Sequence, residues 1–443
     1  MSATPQDVSA RSAAEVLGTP WKIDGLGIRN RFVLGPMAVL RPTPEGHPSD
    51  QSIAFLTTRA RGGVGLIIVG GTVGTDRGNA EAPFRPLMRF DADKYIPGLR
   101  RMVDAIHEHG VPVFAQIFPS FGAMGVPGEG RPTWAASPKP VRMAAPRLPE
   151  GLYIPGGRTN PTPVAITPVE IRELQDDVVA AVLRAKAAGF DGIELGAHMR
   201  YLYSSFLSPR TNWREDEYGG SAENRVRILT DTIRAIRAEV GPDYPVGLRM
   251  SANDHLVDGQ GAEGFAEVAA IIAEAGLGYI ALTDGNYESM DENVSSRSGK
   301  MLEHGEPQAF RRAIPDVPLL LSSTYDPQQG AEAITAGHGD GIMLARQLLA
   351  DPEFPRKVLE GREDEVVWCD HNNSCLRRLV LNVPVRCTKN PAMGREAELA
   401  GTSVPVTVKL RRPAESALIA ATGSRLLMGV ADRLASAKAT QKS

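Results

Sequence analysis

Eight short apolar runs, alternating with stretches of helical periodicity, constrain this chain more than any other feature. The runs occupy residues 31–35, 65–69, 112–117, 191–195, 245–250, 278–282, 317–322 and 341–344. Most contain β-branched residues and are bounded by Gly, Pro or Asp, as parallel strands buried on both faces tend to be. Between them, residues 95–109, 168–188, 221–240, 263–275 and 327–336 have helical spacing. In the second of these, Val178, Ala181, Val182 and Ala185 recur at three- and four-residue intervals and share one face. Repeated strand–helix alternation predicts an α/β fold, a (β/α)8 TIM barrel, with chemistry at the C-terminal strand ends. A doubly wound open sheet is the competing architecture. No Gly-x-Gly-x-x-Gly follows an early strand, which weighs against a dinucleotide-binding domain of that type.

The 443 residues divide by pattern into an N-terminal arm (1–20), the barrel (21–365), a cysteine-bearing C-terminal extension (366–400) and a helical tail (401–443). In the tail, residues 414–435 are rich in Ala and Leu, which suits a packing or dimer-contact helix and equally a surface helix. A net charge of −3 gives no reason to expect nucleic acid or an anionic membrane as partner. No apolar run approaches a membrane span, and no apolar core follows a basic start, so the expected location is cytoplasmic. The three cysteines all fall between Cys369 and Cys387, which is not a secreted disulfide framework.

The fourth run leads into DGIELGAHMRYLYSSFLSPRTNWREDEYGGSAENR, residues 191–225. An apolar stretch (Phe190, Ile193, Leu195) stops abruptly at a long polar loop with His198, Arg200 and Tyr201, and Ser221 is placed to cap a following helix. A loop of this length and chemistry at a strand end predicts an active-site edge. The segment closely resembles the corresponding loop of the old yellow enzyme family of flavin-dependent oxidoreductases. The resemblance is carried by Tyr201-Leu202, Phe206-Leu207-Ser208-Pro209, Asn212, Arg214, Asp216 and the run from Tyr218 to Arg225. Asn30-Arg31-Phe32-Val33, Gly35-Pro36-Met37 and Arg59-Ala60-Arg61-Gly62-Gly63 extend it, so that it spans residues 21–396.

The resemblance implies FMN across the barrel mouth. Gln116 matches the glutamine that bonds the flavin's pyrimidine edge, since an amide both donates and accepts. Arg249 matches the cation at the N1/O2 locus, where a fixed charge stabilises the reduced flavin. Pro36, Met37, Gly71 and Thr72 match positions where backbone and hydroxyl groups line the isoalloxazine. Ala38 stands where relatives carry a Thr or Cys that modulates the flavin, so that hydrogen bond is missing. Ser322 and Ser323 replace glycines of the phosphate-binding loop after the seventh strand. Ala345 replaces the glycine before Arg346, the expected phosphate ligand.

On the substrate side, Tyr201 matches the family's proton donor. A phenol, with an ordinary pKa of about 10, stays protonated at neutral pH. A core tyrosine with a satisfied hydroxyl is the alternative. Relatives anchor the substrate carbonyl with a His/His or His/Asn pair, and counted without gaps those slots hold Gly196 and Met199. His198 lies one residue away. Either the loop bulges so that His198 reaches the substrate, or the usual clamp is absent. Glu288 stands where dienoyl-CoA reductases carry a catalytic histidine; it would orient Tyr201, bind a cationic substrate or sit as a solvated carboxylate. Tyr287 is expected to line the site and stack on substrate.

Relatives with a reductase extension bind a four-iron cluster through Cys-x2-Cys-x3-Cys-x11-Cys. Cys375 and Cys387 keep the last spacing, but Trp368 and His371 fill the first two positions and Cys369 is displaced by one. Tryptophan cannot ligate iron, so the expectation is a degenerate motif without an iron–sulfur cluster and no metal site. Cys369, His371, Cys375 and Cys387 as a mixed ligand set is the alternative. The implied activity is an FMN-dependent ene-reductase that takes hydride from NADH or NADPH and reduces an α,β-unsaturated carbonyl or enoyl compound. A homo-oligomer is possible, and no partner beyond small molecules is expected. Flavin-dependent oxidation of an amine or N-methyl group is the second reading, and a non-enzymatic binding module the third. A barrel isomerase or aldolase would need a lysine or metal-ligand cluster at strand ends, and none stands out in the sequence.

Overall fold

A computed structural model describes residues 11–154, 156–399 and 413–430. Eight strands form a closed barrel: β1 (Phe32–Leu34), β2 (Leu66–Val69), β3 (Val113–Ile117), β4 (Gly192–Ala197), β5 (Val246–Ser251), β6 (Tyr279–Thr283), β7 (Leu319–Ser322) and β8 (Gly341–Leu344). Each pairs in parallel with its neighbours in chain order, and β8 closes on β1 through Ile342 opposite Phe32. The (β/α)8 expectation therefore holds, and each strand lies within two residues of its apolar run.

The strands alternate between two cores because strand side chains have a period of two. Val33, Leu66, Ile68, Phe114, Tyr279, Leu320 and Met343 pack inside the barrel. Phe32, Leu34, Ile67, Val69, Val113 and Ala115 point outward into the layer of helices. The helices begin where side chains can satisfy their first amides. Thr167 and Glu170 form a reciprocal capping box ahead of Pro168–Ala187, and Ser221 accepts from the Asn224 amide to start Ala222–Val240. A hairpin of Trp21–Ile23 and Leu26–Ile28 closes the N-terminal end, with Trp21, Ile23 and Ile28 joining the interior core.

Two segments assigned by sequence to the periphery belong to the barrel's packing. Within the N-terminal arm, the helix Ala13–Leu17 packs on Pro327–Thr335 and Phe354–Leu359, with Leu17 fully buried. The extension after residue 365 is held by an ion pair in the core. The Arg59 guanidinium, on the helix Asp50–Arg61, meets the Glu396 carboxylate at 2.7 Å, and both side chains are almost wholly buried. Arg59 also donates to the carbonyls of Phe55 (2.9 Å) and Leu348 (3.1 Å). Of the tail, Pro413–Thr422 is a helix packed on Ser374–Val380; residues 401–412 and 431–443 lie outside the described residues. No helix among the described residues is long and apolar enough to cross a membrane.

Arg59→Ala would leave the Glu396 carboxylate buried without a cation, a loss of about 3–5 kcal/mol. Glu396→Gln, which keeps a hydrogen-bond acceptor, is expected to cost less. Urea unfolding of the two variants checks this. Wild-type stability in Arg59→Ala would show that the pair does not fasten the extension.

Candidate active site

At the C-terminal ends of the strands lies a cavity of about 400 Å³. Of the residues singled out in the sequence, Pro36, Met37, Ala38, Gly71, Thr72, Gln116, His198, Tyr201, Arg249, Tyr287, Ser322, Ser323, Ala345 and Arg346 all line it. Glu288 does not. The remaining wall is mostly apolar and includes Phe84, Phe118, Phe121, Met124 and Met143.

The polar groups of the barrel mouth are organised from below by a residue not singled out in the sequence. Glu194, fully buried on β4, accepts from Gln116 Nε2 at 2.7 Å and from the Tyr279 hydroxyl at 3.1 Å. Burial raises its pKa to about 7, against the attraction of Arg249 and those two hydrogen bonds. The sequence signal was a carboxylate inside a buried-strand run, Ile193-Glu194-Leu195. Because Glu194 takes a proton of the Gln116 amide, it fixes which way that amide faces. Thr72 lines the cavity too, but its hydroxyl donates to the Gln116 carbonyl, so its hydrogen is committed to protein.

The donor set fits FMN. Arg249 Nε, Ser322 Oγ and His198 Nδ1 are buried without a protein partner, which a bound polar group would relieve. Gly70 lets the chain cross closely: a Cβ there would stand 2.5 Å from the Met37 amide nitrogen. Ser323 holds φ at 59°, a left-handed conformation that favours glycine. Arg346 lies at the cavity edge, steadied by Asn373 Oδ1 (3.0 Å) and the Ser295 carbonyl (2.6 Å).

The loop after β4 settles the position of His198. Met199 and Arg200 are both left-handed (φ 56° and 62°), a double turn directly after His198. His198 faces the cavity, its ring 5.4 Å from that of Tyr201. Burial, reinforced by Arg249, holds its pKa well below the ordinary 6.5, so it is a neutral imidazole at pH 7. Gly196 cannot carry a clamp side chain, because a Cβ there would stand 2.3 Å from the Phe118 ring. Met199 lines the cavity with a thioether, beside the imidazole of His198.

Tyr201 precedes the helix Leu202–Leu207 and is boxed by Phe118 and Phe121, edge-on at 4.9 and 5.5 Å. Its hydroxyl lies 2.9 Å from that of Tyr287. Burial, then Tyr287, raises the Tyr201 pKa well above 10, which keeps the phenol protonated. The group within hydrogen-bond reach of the Tyr201 hydroxyl is therefore Tyr287 and not Glu288. The Glu288 carboxylate turns away: it receives Arg210 at 2.6 Å, stands 3.5 Å from Arg200 and accepts from the Arg142 amide. It is buried and off the cavity wall, so it does not sit in solvent.

One further group of side chains lies outside the residues singled out in the sequence. His255, Asp284, Glu292 and His304 converge beyond the ends of β5 and β6, in a set that sequence spacing does not advertise. In the extension, Trp368 packs edge-on against Phe354 at 5.6 Å, and His371 and Cys375 face the cavity. Burial pushes the Cys375 thiol up to about 11.

The NADH:flavin oxidoreductase / NADH oxidase family matches residues 17–365. A metal reductase of Desulforamulus reducens is 36% identical over 395 residues, covering 87% of this chain and 55% of the relative. A 2-naphthoyl-CoA reductase in complex with 2-naphthoyl-CoA superposes with a TM-score of 0.77 at 27% identity, over 87% of this chain and 58% of that one. Histamine dehydrogenase from Rhizobium sp. 4-9 gives a TM-score of 0.75 at 26% identity, over 87% and 53%. The chain spans about half the length of the curated relatives it matches first. It belongs to the NADH:flavin oxidoreductase family.

Glu194→Gln is expected to weaken FMN binding about tenfold to a hundredfold, the worth of a buried charge-assisted hydrogen bond. It frees the Gln116 amide to turn and strips Arg249 of its counter-ion. Quenching of flavin fluorescence on titration into apoprotein measures this, and an unchanged dissociation constant would remove Glu194 from flavin positioning.

Proposed function

We propose that this member of the NADH:flavin oxidoreductase family reduces the C=C bond of an α,β-unsaturated carbonyl or enoyl compound, with Tyr201 as the proton donor. Bound FMN would supply the redox step, accepting hydride from NADH or NADPH and passing it to the substrate β-carbon. Gln116, Arg249 and Arg346 would hold that cofactor, with Ser322 and Ser323 beside its phosphate. The protein's own chemical task is then to deliver one proton to the α-carbon, so that hydride plus proton saturate the bond.

The observation that carries this reading is the Tyr201 hydroxyl, which lines the cavity, is kept protonated by burial and is backed by a second phenol at 2.9 Å. Tyr287 orients the Tyr201 hydroxyl and offers a proton to replace the one transferred. His198 and Arg249 supply the donors available to polarise a substrate carbonyl, one neutral and one charged. Phe118, Phe121 and the methionines exclude water and suit a hydrophobic acyl group.

The likeness to histamine dehydrogenase supports a second reading, oxidation of an amine. An ammonium substrate calls for a carboxylate or a cationophilic wall. No Asp or Glu is among the described residues lining the cavity, whereas Arg158, Arg249 and Arg346 are. Glu288, the one candidate from the sequence, is neutralised by Arg210 and Arg200. The charge of the cavity therefore favours an electron-poor, neutral or anionic substrate.

Tyr201→Phe separates the half-reactions. Reduction of bound flavin by nicotinamide should stay within about twofold of wild type, while reoxidation by an enone or enoyl thioester slows by about 10²–10⁴-fold. Anaerobic stopped-flow absorbance reads both. Equal slowing of the two halves, or none of the second, would take Tyr201 out of the proton-transfer role; flavin reduction by amines alone would establish the other direction.

A further inference from the structure

We propose that His255, Asp284, Glu292 and His304 form a binding site for one divalent ion of the zinc class, and that this ion braces the cavity wall carrying Tyr287. The four come from the connections that follow β5 and β6. His255 lies in the loop after β5, and Asp284 immediately follows β6. Glu292 is on the short helix Met290–Asn293, and His304 ends Lys300–His304. One ligand atom from each lies within 4.8 Å of all the others. Two imidazoles with two carboxylates form a nitrogen–oxygen set that suits Zn²⁺ and its neighbours, whereas Ca²⁺ and Mg²⁺ prefer oxygen alone.

A second observation points to a ligand. Asp284 Oδ2 and Glu306 Oε2 are buried carboxylate oxygens with no hydrogen-bond donor, on residues 2% and 0% exposed. Leaving such oxygens desolvated and unpaired is costly, and a cation beside them removes the cost. Glu306 stands against both rings, its Oε1 3.4 Å from His255 Nε2 and 3.5 Å from His304 Nδ1. Asn253 steadies that oxygen from behind at 3.2 Å, as an outer partner does around a metal. His255 adopts a left-handed backbone (φ 50°), a conformation a non-glycine residue holds only under constraint.

Protons and a lysine presently occupy the charge balance. His255 Nε2 and Asp284 Oδ1 are 2.5 Å apart, within hydrogen-bond distance, and the Lys300 ammonium pairs with Glu292. Ligand atoms about 2.0–2.2 Å from a tetrahedral ion sit roughly 3.3 Å from each other. Binding therefore opens the His255–Asp284 contact, expels its proton and displaces Lys300 from Glu292. The loop so fixed runs past Tyr287, Met290, Asn293 and Val294, all of which line the cavity. Asn293 already ties it to β6 by donating to Thr283 Oγ1 and to the Asp284 carbonyl.

The test uses the full chain, stripped with chelator and titrated with Zn²⁺ by calorimetry, then with Co²⁺ by absorption. The extension's thiols are the competing site, so Cys369, Cys375 and Cys387 are replaced together by Ser in a parallel variant. One ion per chain is expected, bound equally by the serine variant and roughly tenfold or more weakly by His304→Ala and by Glu292→Gln. The Co²⁺ adduct should show visible d–d bands without a thiolate charge-transfer band. Should His304→Ala fail to fold by circular dichroism, the nearly isosteric Glu292→Gln carries the comparison. The proposal is overturned by no saturable binding, by binding that both ligand variants leave unchanged, or by binding that vanishes in the serine variant.

Discussion

The barrel mouth is arranged around a carboxylate that should not, by solvation alone, be there. Glu194 is fully buried, and that burial pushes its pKa from the ordinary 4.5 to about 7. As the pH rises between those values, the folded protein holds a proton that the unfolded chain has already released. Stability from this group is therefore full below 4.5 and is lost towards 7. The fold accepts the loss because three neighbours need the anion. Gln116 on β3 and Tyr279 on β6 donate to it, and Arg249 on β5 is held by its charge, so four consecutive strands are coupled through one carboxylate. Remove the charge and Arg249 becomes a buried cation without a partner. The groups that face the cavity are thus positioned by one that does not.

The reactive edge follows from how two loops are pinned. After β4 the chain makes two successive left-handed steps at Met199 and Arg200, which throws the Arg200 side chain outward and the Tyr201 ring inward. After β6, Glu288 is drawn the other way by Arg210 and Arg200. Arg200 and Glu288 therefore join the two loops on the side away from the cavity, and their chain neighbours Tyr201 and Tyr287 meet on the side facing it. The 2.9 Å contact between the two phenols is the inner counterpart of an outer ion pair. In a low-dielectric box of Phe118 and Phe121, neither hydroxyl gains by ionising, so the pair stores a proton instead of losing it.

The barrel was legible because its strands are buried on both faces, which leaves eight apolar runs that nothing else in the chain imitates. Most of the cavity was legible for a related reason: Gln116, Arg249 and Ser322 are strand-end residues, and strand ends have a fixed place in a barrel. Loop residues were harder. Adjacent residues in a loop can point to opposite sides, so Tyr287 lines the cavity beside Tyr201 while Glu288 turns to Arg210 and Arg200. His198 could be placed only once the φ angles of Met199 and Arg200 were known. The cluster of His255, Asp284, Glu292 and His304 has no spacing to recognise, because the connections after β5 and β6 supply it together. The pair Arg59–Glu396, 337 residues apart, is invisible for the same reason.

The boundary placed at residue 365 is one of sequence pattern and not of packing. The family match stops there, yet Leu376, Leu379 and Val385 beyond it line the cavity. Arg346, the expected phosphate ligand, is held by Asn373, whose own amide donates to the Glu150 carbonyl at 2.8 Å. The neighbouring Gln347 donates to the Val367 carbonyl and accepts from the Cys369 amide. A barrel without these residues would expose an apolar flank and leave the Arg346 and Gln347 side chains to find other partners. The end of the site where a phosphate would sit is therefore shaped jointly by β8 and the extension. Cys375 and His371 reach the same cavity from that extension. Any chemistry at the three cysteines would thus act within the site's own wall, beside Arg346, whose charge Cys369 and Cys375 already feel.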